Sequence, residues 1–193
     1  MRKITLCFLL LAGLYSFSTG FATVDTFLTN TTYQACFTPQ DNCTELVVNT
    51  INSAKKSIDV QAYSFTSAPI VKALINAERR GVQVSVLLDK SNVSSRYSVT
   101  KTLENNKIPF LIDYKPAIAH NKVMIFDQDT VITGSFNFTK SAQAKNAETL
   151  LVINSPALAR QYLRNFEFRQ QQSVGLATYN ADHRKKSRHT AKE

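Results

Sequence analysis

The chain has 193 residues, of which 44% are hydrophobic, and this suits one globular domain with short extensions. A formal net charge of +9 points to a polyanionic partner, with DNA and an anionic membrane surface as the candidates. Its five glycines form neither a G-x-S-x-G nucleophile elbow nor a glycine-rich phosphate loop, which argues against serine hydrolases of that type and P-loop enzymes.

Met1–Ala22 begins with Arg2-Lys3, continues through the uncharged apolar run Ile4–Tyr15 and ends in small residues. This pattern predicts a secretory signal peptide cut after Ala22. The apolar run has 12 residues, against about 20 needed to span a bilayer. An uncleaved N-terminal anchor is the alternative. Cys7 lies in the run without lipobox surroundings, so no lipoprotein is expected. Export places the mature chain in the periplasm or outside the cell, where thiols oxidise. Cys36 and Cys43 are then its only cysteines. They either form a disulfide around Phe37–Asn42 or remain two inert thiols. A metal site would need more ligands than these two.

Thr44–Lys56 carries Leu46, Val47, Ile51 and Ala54 at helical spacing. Ser57–Tyr63 reads as a strand with Ile58 and Val60 on one face. Ala68–Arg80 reads as a helix whose buried stripe is Ile70, Val71, Leu74 and Ile75, ended by Gly81. Val82–Leu88 is predicted as a buried strand, Arg96–Asn105 as a helix and Ile108–Ile112 as a further strand. Val123–Phe126 and Thr130–Thr133 form a hairpin around Asp127-Gln128-Asp129. Glu148–Ile153 is the last strand and Pro156–Gln171 the last helix. The alternation predicts an α/β fold with a mixed β-sheet sandwiched by helices. The globular domain is assigned to residues 23–173, and 174–193 to a basic, disordered tail. Asp182–Glu193 carries +3 and lacks an apolar face. It is either a nucleic-acid-binding arm or a solvated tail, so His183 and His189 are poor catalytic candidates. Losing Arg2 and Lys3 takes the chain from +9 to +7, and setting the tail aside leaves +4 on the core.

The chemistry concentrates in Ala119–Thr139. His120 and Lys122 stand at the start of a strand and, two residues apart, share a face. Ser135 and Asn137 repeat that spacing after the returning strand. One hairpin thus presents a nucleophile-capable imidazole, a cation, a hydroxyl and an amide. These groups suit a phosphodiester. A neutral imidazole is not repelled by the anion, while Lys122 and Asn137 can hold the non-bridging oxygens. A metal-dependent route needs a His and carboxylate cluster, but only His120 lies in the core, and Asp127 and Asp129 sit on a turn. No metal or cofactor is therefore expected.

The spacing H-x-K-x4-D-x6-G-S-x-N resembles the phospholipase D superfamily signature. His120, Lys122, Asp127, Gly134, Ser135 and Asn137 fill every fixed position. The resemblance runs from about Thr38 to Arg169 and includes Tyr63-Ser64-Phe65-Thr66. The chain looks most like the small bacterial Nuc-type endonucleases, which carry one motif per chain. There is no internal repeat, so it corresponds to one half of a two-copy phospholipase D.

This resemblance implies a two-step, metal-independent phosphodiesterase. His120 attacks phosphorus and forms a phosphohistidine, which water then hydrolyses. Lys122 and Asn137 bind phosphate with support from Ser135. Asp127 and Gly134 are structural. Glu148, in Ala147-Glu148-Thr149-Leu150, matches a family carboxylate that orients a catalytic His of its own or a partner chain. A nonspecific endonuclease acting on DNA, and possibly RNA, is the leading expectation. The alternatives are a phospholipase D acting on phosphatidyl or cardiolipin head groups and a non-catalytic nucleic-acid-binding module. The family uses a second His as acid and base, and this core has one. A homodimer with the site on its two-fold axis is thus expected.

Overall fold

A computed structural model describes residues 25–182 of the chain. The predicted export segment 1–22 and residues 183–193, with His183 and His189, lie outside the described residues. In chain order the elements are β1 (Thr32–Thr38), α1 (Cys43–Ser53), β2 (Ser57–Ala62), α2 (Ala68–Arg79), β3 (Gln83–Asp89), α3 (Ser91–Ser94) and α4 (Thr100–Asn105). There follow β4 (Phe110–Asp113), β5 (Lys122–Phe126), β6 (Thr130–Gly134), α5 (Lys140–Ala144), β7 (Glu148–Asn154) and α6 (Pro156–Gln171).

The strands form one mixed sheet of seven, in the order β1-β7-β6-β5-β2-β3-β4. β2, β3 and β4 run parallel, and the remaining neighbours are antiparallel. The period-2 alternation of strands sorts the side chains onto two faces. Val60, Val86, Leu88, Met124, Phe126 and Ile132 pack with Val47 and Ile51 of α1 and Ile70 and Leu74 of α2. Leu87, Val123, Ile125 and Val131 face the other way, against Ala159 and Phe166 of α6. Helices therefore cover both faces, as the alternation predicts. Among the described residues no helix is long and apolar enough to cross a membrane.

Three local differences have physical reasons. β1 was not predicted, because only Cys36 and Thr38 of its seven residues are buried. It is an edge strand, and its partner β7 is distant in sequence, Thr38 pairing with Glu148. The helix predicted from Arg96 starts only at Thr100, whose N–H donates to the Ser98 hydroxyl at 3.2 Å. The domain also continues past residue 173: Val174 exchanges backbone hydrogen bonds with Ile112, residues 176–182 are helical, and Tyr179 is buried beside Tyr114. The predicted disordered tail thus does not begin at residue 174. Polar neighbours hide these few apolar anchors in the sequence.

Cys36 and Cys43 are bonded, with Cα atoms 5.7 Å apart. The bridge ties β1 to the first residue of α1, a helix whose Asn42 side chain accepts from Glu45 N–H at 3.1 Å.

On the α6 face, Asp59 of β2 lies in a polar cavity with Glu167 and Gln170. Burial, reinforced by the Glu167 charge, raises its pKa from 3.8 to about 6. The folded state therefore binds this proton more tightly than the unfolded state. Its contribution is fully present below about pH 4 and is lost as pH rises to about 6. Asp59→Asn is expected to gain about 1 kcal/mol at pH 7, a value discounted because the site is partly open to solvent. Thermal melts should show the variant's advantage growing between pH 4 and 7; an advantage that does not change with pH would refute the assignment.

Candidate active site

The start of β5 places Lys122 on the α1–α2 face of the sheet, and His120 precedes it by one alternation. Lys122 is 6% exposed, whereas His120 is exposed. The Lys122 Nζ lies 2.9 Å from Nδ1 and 3.1 Å from Nε2 of the imidazole, and donates to the His120 carbonyl at 2.8 Å. Burial lowers the Lys122 pKa, and the Glu148 carboxylate opposes that shift. A positive group is thus held beside an open imidazole, where a bound anion would meet both.

Tyr63 closes one side of the pair. Its ring lies 4.4 Å from the His120 ring, and the Lys122 Nζ lies 5.1 Å from the Tyr63 centroid. The Tyr63–Thr66 segment stitches the two halves of the motif together. Tyr63 N–H donates to the Asn121 carbonyl at 2.8 Å, and the Thr66 and Ser67 N–H groups both donate to the Phe138 carbonyl at 3.0 Å. Asn92, 3% exposed, holds this segment from below by donating to the Tyr63 carbonyl at 2.6 Å. Asp89 accepts from Ala119 N–H at 2.7 Å and so anchors the residue before His120.

Ser135 Oγ donates to Glu148 Oε2 at 2.6 Å and accepts from Thr149 N–H at 2.9 Å. Asn146 donates to Glu148 Oε1 at 2.8 Å. Thr38 accepts from Glu148 N–H at 3.1 Å and donates to the Asn146 carbonyl at 2.9 Å. Ser135 and Asn146 thus fix the Glu148 carboxylate near Lys122. Asn137 Oδ1 is buried without a hydrogen-bond partner among the described residues, and the amide nitrogen is the end of this side chain that can donate to an oxyanion.

Asp127 and Gly134 are architectural. Asp127 and Gln128 adopt φ of 51° and 62°, closing the β5–β6 turn through Asp129 N–H to Phe126 O at 3.0 Å. The Asp127 carboxylate accepts from Lys55, Lys56 and Ser57 N–H at 2.8, 2.6 and 2.9 Å. Burial raises its pKa, but the three backbone donors and the Lys56 charge outweigh that, and the net shift is downward. Gly134 has φ +144°, and a Cβ there would lie 2.2 Å from the Thr149 carbonyl oxygen. Gly134→Ala is expected to cost at least about 2 kcal/mol, read as a lower Tm. An unchanged Tm would show that the β6–β7 contact yields freely.

Residues 47–169 match the family described as cardiolipin synthase, PLD-like domain. The chain is 47% identical over 139 residues to a phospholipase D of Rickettsia conorii, a match covering 72% of this chain and 70% of that protein. The chain belongs to the phospholipase D superfamily. As a member it is a phosphodiesterase whose signature residues come together around His120. It is similar to the phospholipase D family member Nuc from Salmonella typhimurium, with 41% identity, a TM-score of 0.71, and coverage of 74% of this chain and 96% of that one. A mitochondrial cardiolipin hydrolase of Xenopus laevis is 28% identical over 66% of this chain and 60% of its own length.

The structure brings His120, Lys122, Ser135, Asn137 and Glu148 to one end of the β5–β6–β7 ladder. Local spacing held no sign of Thr38, Asn92 or Asp89, because each acts through partners distant in the chain; Asn146, two residues before Glu148, stands outside the signature. Tyr63 was visible as part of a motif but carried no signal of its place against His120.

Proposed function

We propose that the chain is an exported, metal-independent nuclease that cleaves DNA, with RNA as a second substrate, through a phosphohistidine at His120. The observation that carries this reading is the Lys122 ammonium 2.9 Å from an exposed imidazole, with the Asn137 amide on the same hairpin. The likeness to Nuc at 41% identity and the core's positive charge support a nucleic-acid substrate. The disulfide supports export.

In the first step a neutral His120 nitrogen attacks phosphorus, the P–O bond to one alcohol breaks, and the leaving oxygen takes a proton. Lys122 and Asn137 stabilise the charge gathering on the non-bridging oxygens. In the second step water attacks the phosphohistidine and returns the imidazole. Both steps need a group that gives and then takes a proton. His120 of a second copy, brought up by a two-fold axis, supplies it. Glu148, gripped by Ser135 and Asn146, orients one of the two imidazoles.

A second reading, hydrolysis of phosphatidyl or cardiolipin head groups, is supported by the names of the Rickettsia and Xenopus relatives. The same side chains serve it, since only the alcohols on phosphorus differ. The deciding assay offers plasmid DNA, RNA, and phosphatidylcholine and cardiolipin vesicles to the purified protein with millimolar EDTA. Nucleic-acid cleavage in chelator is expected. Turnover of lipid alone would support the second reading. Complete loss in EDTA that magnesium restores would overturn the mechanism, and binding with no turnover of any substrate would indicate a binding module.

A further inference from the structure

A cavity of about 260 Å³ opens on the α6 side of the sheet, lined by Gln61, Asn121, Val123, Gln161, Tyr162 and Asn165. Asn121 stands between His120 and Lys122. The alternation that turns Lys122 to one face turns Asn121 and Val123 to the other. The cavity and Lys122 therefore lie on opposite faces of β5, and Asn121, the residue before the strand, is the chain neighbour of both His120 and Lys122. Four of its six side chains are carboxamides, and none is charged. Gln61, paired with Val123 in the β2–β5 ladder, is 3% exposed, and its Nε2 has no hydrogen-bond partner among the described residues. Buried amide donors are seldom left unpaired in a finished structure. Rotation about the last side-chain bond of Gln61 turns an N–H toward the cavity, where an incoming acceptor satisfies it.

We propose that this cavity is a nucleobase subsite, in which a base flanking the scissile phosphate is read by the amides of Gln61, Asn121 and Asn165. The inference rests on the nucleic-acid reading given above. A carboxamide offers a donor and an acceptor side by side, which matches the hydrogen-bonding edge of a base. Tyr162 supplies an aromatic wall. A quaternary ammonium head group is recognised instead by several aromatic faces, and this lining has one aromatic and no carboxylate. The base must leave its stack to enter, so the site takes single-stranded or locally opened substrate.

The test is cleavage of a random-sequence single-stranded oligonucleotide pool by the full-length mature protein, with the cut sites sequenced. The wild type is expected to show a skew of about five-fold or more at one position flanking the cut, the low end of what one bidentate amide–base pair discriminates. Asn165→Ala changes an exposed helix position and Asn121→Ala a half-buried one, so at least the first should fold. Each should flatten the skew. Each should also lower kcat/KM on the pool more than on bis(p-nitrophenyl) phosphate, a diester without a base. Uniform wild-type cut sites, an unaltered skew in both variants, or equal losses on the two substrates would overturn the subsite and leave the nuclease reading intact. Hydrolysis of lipid with no cleavage of DNA or RNA would overturn both.

Discussion

Replacing His120 with alanine is expected to abolish turnover while nucleic-acid binding persists. The imidazole is the one exposed nucleophile beside Lys122, and no second His lies among residues 25–182 to replace it. Binding depends instead on the net positive surface, which this change leaves almost intact. Lys122→Ala and Asn137→Ala should each lower kcat by roughly 10² to 10³, since each removes a donor aimed at developing charge. Ser135→Ala should cost less, because its hydroxyl holds Glu148 at 2.6 Å rather than the phosphate. Rapid quenching into alkaline denaturant should trap a phosphoryl adduct on the wild type that acid then removes, and peptide mapping at high pH should place it on His120. A His120→Ala protein with full activity would remove the covalent mechanism altogether.

Mixing subunits should give a quadratic loss of activity. If each dimer holds one composite site, a pair of one wild-type and one His120→Ala chain has a nucleophile or a proton donor, but not both. Co-refolding with excess variant should then depress activity as the square of the wild-type fraction. One imidazole must be neutral to attack while the other is protonated to donate, so kcat/KM should follow a bell-shaped pH profile. A strictly linear loss, or a fully active monomer in sedimentation, would show that the second proton-transfer group lies in the same chain. Glu148 would then be the candidate, since it is the carboxylate whose charge already reaches Lys122.

The family, the sheet-and-helix class and the grouping of the candidate site residues were legible from the chain because they rest on short-range order. Two-residue spacing puts His120 with Lys122, and the 3.6-residue period of Ile70, Val71 and Leu74 sets which face of α2 is buried. Turn chemistry at Asp127-Gln128-Asp129 closes the hairpin locally. The disulfide could be narrowed to one pairing by cysteine count but not distinguished from two free thiols. Proximity decided it, with the edge strand β1 bringing Cys36 to the start of α1.

Only the tertiary structure decided which groups restrain those residues. Asp127 looks like a turn residue, yet its carboxylate caps three N–H groups some seventy positions earlier. Ser135 reads as a support for the phosphate ligands Lys122 and Asn137, and its hydroxyl grips Glu148 from the neighbouring strand. β1, Asn92 and Asp89 left no periodic trace, because a pairing between distant segments depends on sheet order and not on local spacing. The sequence by itself determined what chemistry the chain carries, since adjacent residues in a strand alternate faces whatever surrounds them. Sheet topology determined how that chemistry is held, because the order β7-β6-β5-β2 brings together side chains that no local period relates.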